Sequence, residues 1–202
     1  MFRFIFAILL MFFVTPAIVH SQATHLDVLK HFNPYPTRDY SALWGYTAPD
    51  GREYAILGVV GGSGQGGTSI IDITDTANVH EVAFINGPNS IWREMKTYGH
   101  YAYVVTEAGG GTQIINLAAL PDTATLVSSF IYTSGTKTTS RVHSISIHDG
   151  FMYLNGCATW GTSSSQRGTV IFDLRTTPTS PQFVGEYSPN YFHDVYVLRD
   201  TL

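Results

Sequence analysis

Apolar positions along this chain fall into short runs that recur in pairs. EYAILGVV (53–60), YAYVVTEA (101–108) and FMYLNGCA (151–158) are each followed by a segment that opens Gly-Thr and closes on Asp or Asn: GTSIIDITD (67–75), GTQIINLAA (111–119) and GTVIFDLRT (168–176). Upstream lie LWGY (43–46), WREMK (92–96), HSISI (143–147) and finally HDVYV (193–197). Short runs rich in aliphatic, β-branched and aromatic residues, bounded by Gly, Pro and Asp, predict β-strands. Their apolar character is mixed rather than strictly alternating, which predicts strands covered on both faces.

Four strands can be drawn in each copy. In the second they are IWREMKTY, HYAYVVTEA, TQIINLA and ATLVSSFIY, with turns at Gly99, Gly109 to Gly111 and Pro121 to Asp122. In the third they are RVHSISI, FMYLNGCA, TVIFDLR and QFVGEYS, with turns at Asp149 to Gly150 and in the 162–168 loop. With Arg93, His143 and His193 taken as equivalent, successive copies lie fifty residues apart. A repeat of that length built from short strands predicts an all-β fold, a β-propeller of four-stranded blades. The expected blades cover about 40–88, 89–138 and 139–189, and 190–202 begin a fourth with the strand YFHDVYVLRD. That is an incomplete ring of three blades plus one strand. Closure at one blade per repeat needs roughly 300 to 400 residues, so the 202 residues are expected to be the N-terminal part of a longer propeller.

Residues 1–21 read as an export signal: Arg3 is the positive end, FIFAILLMFFV the apolar core, and small residues follow at Ser21 and Ala23. The apolar run is short for a membrane span, so cleavage is expected, with no transmembrane span afterwards. The expected location is extracellular or cell-surface, with the periplasm as the other compartment. Residues 22–39 form a lead-in with the chain's one expected helical turn, ended by Pro34 and Pro36. The formal charge is −4, becoming −5 once Arg3 leaves, and Lys and Arg do not cluster, which argues against nucleic acid as a partner. Cys157 is the single cysteine, so no internal disulfide can form; in an apolar strand it is expected to be a buried thiol.

As a set, WGYTAPDGREYAILGVVGG, TSIIDITD, SIWREMKTYGHYAYVVTEAGGGTQIINL and FHDVY resemble the bacterial choice-of-anchor B family, whose propellers are built from LVIVD-type repeats. The likeness spans about residues 40–198. It implies an exported, surface-associated propeller, with attachment through a C-terminal region missing here. Glu94 stands where the family commonly has Asp after Trp-Arg, and Ser144 where Asn often follows the His.

Two loops invite chemical readings that their context opposes. GSGQGG (62–67) matches a phosphate-cradling G-x-G-x-x-G, but TSIIDIT after it reads as a strand, leaving no helix N-terminus for a phosphate. TSSSQRG (162–168) lacks the G-x-S-x-G elbow of a hydrolase and reads as a hairpin loop. Tyr98, Tyr101, Tyr103 and Tyr153 fit either a ligand groove or packing between blades. The most informative polar groups stand at the starts of first strands: Arg93 with Glu94, His143 with Ser144, and His193 with Asp194. In a propeller the first strand of each blade lies nearest the axis, so these groups are expected around one channel mouth. Three readings follow. The side chains pin neighbouring sheets by charge-assisted hydrogen bonds; or His143, His193, Asp194 and Glu94 hold a divalent metal; or a carboxylate and an imidazole form a proton-transfer pair. His148 is expected on the opposite strand face from His143. The expected function is a non-catalytic binding or scaffold module for an extracellular protein or glycan. A metal-assisted hydrolase or lyase at the channel mouth is the alternative, and an architectural spacer the third reading.

Overall fold

The structure of the protein is a computed structural model that describes residues 27–62, 65–157, 168–187 and 190–198. The expected export signal, most of the serine-rich loop and the last four residues lie outside the described residues. The chain is all-β. Its first sheet contains β1 (Tyr40–Thr47), β2 (Glu53–Val59), β3 (Gly66–Asp72) and β4 (His80–Gly87). The second contains β5 (Arg93–Tyr98), β6 (Tyr101–Thr106), β7 (Thr112–Asn116) and β8 (Thr125–Phe130). A two-stranded ribbon follows, β9 (Thr133–Ser134) with β10 (Lys137–Thr138). The third sheet has β11 (Ser144–His148), β12 (Phe151–Asn155), β13 (Thr169–Asp173) and β14 (Gln182–Tyr187). In each four-stranded sheet the strands pair antiparallel in chain order, so every connection joins neighbours.

The Gly-Thr pattern has a local cause in all three sheets. Each third strand ends on a side chain that accepts a hydrogen bond from the backbone two residues on: Asp72 from Thr74, Asn116 from Ala118 and Asp173 from Arg175, at 2.8 to 2.9 Å. Such turns halt a strand and start the return. Three residues after the opening glycine, the pairing with the fourth strand shifts register, between Ile70 and Ile71, Ile114 and Ile115, and Ile171 and Phe172. Gly111 needs its lack of a side chain: φ is +78°, and a Cβ would stand 2.4 Å from the Phe130 carbonyl oxygen.

The second sheet is buried on both faces, and strand alternation divides it between two cores. Ala102, Val104, Ile115 and Met95 face the first sheet, where they meet Tyr54, Ile56 and Ile70. Tyr103, Val105 and Ile114 face the third, against Ile145, Met152, Leu154 and Phe172. Tyr103 therefore belongs to the core, and Tyr98 and Tyr101 pack against it. Cys157 is buried in the same core, and burial pushes its thiol pKa up, away from reactivity.

Two sequence expectations are corrected and one element was unforeseen. Residues 27–39 form no helical turn; they run irregularly, tied by the Tyr35 hydroxyl to Glu81 at 2.5 Å. The expected strand after 190 has none in 190–198; its backbone carbonyls at His193 and Val195 accept from the Ser144 and Ser146 hydroxyls instead of a strand ladder. The β9–β10 ribbon was not expected; it sits where Gly135, at φ +59°, allows a tight reversal.

Candidate functional site

The starts of the first strands do gather. A cleft of about 300 Å³ is lined by Trp92, Arg93 and Glu94 at the start of β5, by His143 and Ser144 entering β11, by His193 and Asp194, and by Ser41 and Ala42 of β1. The five candidate residues thus lie together, although the sequence separates their pairs by fifty positions. Their surroundings assign them different work.

Arg93 is a pin. Its residue is 3% exposed, and its guanidinium donates from Nη1 to the Gly67 carbonyl and from Nη2 to the Pro88 carbonyl. These bonds fasten β5 to the backbone of the first sheet. The backbone is close around it: a Cβ on Gly87 would stand 2.6 Å from Gln113 Oε1 and 3.2 Å from Nη2. Its Nε is buried without a partner among the described residues, and desolvation lowers its pKa to about 10.

Glu94 is also spoken for. One carboxylate oxygen accepts from Lys96 Nζ at 2.7 Å, and the other from the backbone N–H of Ile145 at 2.9 Å, linking β5 to β11. Lys96 in turn lies 4.3 Å from the ring centre of Trp44, whose indole N–H donates to Thr97 across the first junction.

The two histidines form the cleft's open end. Their ring centres are 3.9 Å apart and their planes are inclined by 58°. His143 Nδ1 lies 2.8 Å from Glu107 Oε1, and His193 Nδ1 lies 2.7 Å from Asp194 Oδ2. A carboxylate can only accept, so each Nδ1 carries a proton and donates it to its partner oxygen. The bond from His193 holds the Asp194 carboxyl below the usual carboxylate range. The side chain of His143 is 11% exposed, whereas His193 and Asp194 are 61% and 73% exposed. Trp92 stands 6.1 Å from the His143 ring with 56% of its surface free, and Tyr191 lies 6.2 Å from the His193 ring.

A buried polar chain positions this end from beneath. Thr169 donates to Asn155 Oδ1 at 2.9 Å, Asn155 Nδ2 donates to Ser144 Oγ at 3.2 Å, and Ser144 donates to the His193 carbonyl at 2.6 Å. Gly156 completes the support with φ +61°. A Cβ there would stand 2.7 Å from His143 Cβ and 3.3 Å from the Phe192 carbonyl oxygen, so its absence lets the two histidine-bearing segments close up.

No protein-family model, curated protein or solved structure matches the chain.

Glu107 and Asn155 escaped the sequence reading. Glu107 follows β6 instead of opening a first strand, and fifty residues on stands Cys157, so the sequence pattern carries no signal for it. Asn155 reads as one polar residue in an apolar run. Among the described residues, no group of three or more His, Cys, Asp and Glu side chains is placed to hold a metal. His148 stands apart from the cleft, with Nε2 3.6 Å from Asp149.

Proposed function

We propose that the chain is part of an exported, surface-associated β-propeller that works by binding, and that the cleft between Trp92 and His193 is its ligand site. The observation that carries this is the convergence of side chains from four separated stretches of sequence on one opening whose rim remains exposed. Pinning accounts for Arg93 and Glu94, whose polar atoms are directed into neighbouring sheets. It does not account for Trp92, His193 and Asp194, which hold an aromatic face, an imidazole and a carboxylate toward solvent. An exposed aromatic beside convergent polar groups is the usual composition of a recognition site.

The propeller reading draws support from the chain-order sheets, the middle sheet covered on both faces, and the register shift at one position in each third strand. The likeness to the choice-of-anchor B family adds export and surface attachment to the proposal. An extracellular glycan or protein segment is the ligand class that fits a shallow, partly aromatic opening.

The test is a saturation-transfer NMR screen of the full chain against a panel of soluble glycans and short peptides, repeated with Trp92→Ala. Ligands that lose their signal in a variant of unchanged melting temperature support the assignment. A panel whose binding is indifferent to Trp92→Ala, or wholly silent, contradicts it.

A further inference from the structure

We infer that the outer face of the first sheet carries a second binding site, a pocket for the alkyl carboxylate of a free fatty acid. It shares no lining residue with the cleft. Strand alternation gives the sheet two faces. Tyr54, Ile56 and Ile70 turn toward the second sheet, so Ala55, Leu57 and Ile71 fall on the other side. There Leu43 pairs across the strands with Leu57, and Ala55 with Ile71, which joins these apolar side chains into one floor. The lead-in supplies the opposite wall through residues 30–33. Floor and wall together line a cavity of about 540 Å³, within the range of roughly 300 to 1,000 Å³ that small-molecule sites occupy.

Side chains of the lead-in and the sheet hold that wall in place. The Tyr35 hydroxyl donates to Glu81, the Tyr35 N–H donates to the Tyr40 hydroxyl at 3.0 Å, and Tyr40 donates in turn to Asn33. The Tyr35 ring also packs on Phe84, with ring centres 5.5 Å apart. The charge that reaches the pocket is of one sign: Lys30 and His31 line it, and no Asp or Glu does. The floor, by contrast, offers only methyl and methylene groups. A ligand must therefore be apolar over most of its length, so that covering the floor releases water. Its end must be negative to meet the Lys30 ammonium. An alkyl chain ending in a carboxylate meets both conditions. A sugar leaves the floor unmatched, and an alkylammonium brings like charge to Lys30.

The test is calorimetric titration of the full chain with hexanoate, octanoate and decanoate, and with decylammonium as the control of opposite charge. The expected result is saturable binding of decanoate, with affinity rising about fourfold for each added methylene, and weaker binding of decylammonium. Leu43→Asp should abolish binding, and Lys30→Glu should weaken it about 10-fold. Leu43 is 63% exposed and Lys30 lies on an irregular, exposed stretch, so both variants retain the fold, and their ligand-free melting temperatures verify this. Absence of saturable decanoate binding, affinity indifferent to chain length, or binding that survives Leu43→Asp overturns the inference. Decylammonium binding as tight as that of decanoate overturns it as well, by removing the role of charge. Self-association that Leu43→Asp abolishes, with no decanoate bound, would give the face to a second copy of the chain. Binding to anionic phospholipid vesicles, with none to decanoate, would give it to a membrane surface.

Discussion

Arg93 and His193 stand a hundred residues apart in the chain, and they line the same cleft. Arg93 is sealed, 3% exposed, with its guanidinium spent on the carbonyls of Gly67 and Pro88. His193 lies on an irregular segment, held through its backbone by Ser144, and its ring stands in solvent beside Asp194. The fold delivers a side chain to a place. Whether the group then holds the fold or meets a ligand is decided by what its neighbours leave unsatisfied.

That contrast is open to direct attack. Arg93→Ala should produce the largest effect, a loss of about 3 kcal/mol in urea unfolding, because it empties a buried volume and strands two carbonyl acceptors. A loss under about 1 kcal/mol would mean that Arg93 does not pin the sheets. Gly156→Ala should cost about 2 kcal/mol, through its left-handed backbone and the approach of His143. In the same variant, displacement of His143 should weaken any cleft ligand more than Trp92→Phe does. His193→Ala should change stability by no more than about 0.5 kcal/mol, as befits an exposed side chain. A larger loss there would erase the distinction from Arg93.

The smallest expected effect is a null in pH. The folded pKa of Arg93, about 10, lies below its ordinary 12.5, so the unfolded chain binds the proton more tightly and stability attributable to this group rises with pH only between those values. Below that window Arg93 is charged in both states. The stability difference between the wild type and Arg93→Met should therefore stay flat from about pH 5 to 9. A slope in that range would place another titrating group against the guanidinium.

Much of the framework is readable from residues alone. The apolar runs give the strands, and glycines at 99, 109 to 111 and 150 give turns that adopt positive φ. Placing Arg93, His143 and His193 in one register brings the cleft into view. The remainder depends on contacts between sheets, which no local pattern encodes. Glu107 reaches His143 from the turn after β6, where the sequence fifty residues on has Cys157. Asn155 looks like an interruption in FMYLNG until Thr169 and Ser144 are seen on either side of it. The segment after 190 reads as a strand because HDVYV has the right composition, yet hydroxyl groups of β11 meet its carbonyls where a ladder was expected.

The central claim is that two imidazoles lining one cleft are each held through Nδ1 by a carboxylate, His143 by Glu107 and His193 by Asp194. The most direct measurement is a long-range proton–nitrogen correlation NMR spectrum of the histidine rings in the full chain at about pH 8, with His143→Gln and His193→Gln used for assignment. The account predicts that both neutral rings carry the proton on Nδ1, against the tautomer ordinarily preferred in free histidine. Nε2–H tautomers at both positions would contradict the carboxylate pairing and, with it, the assignment of the cleft.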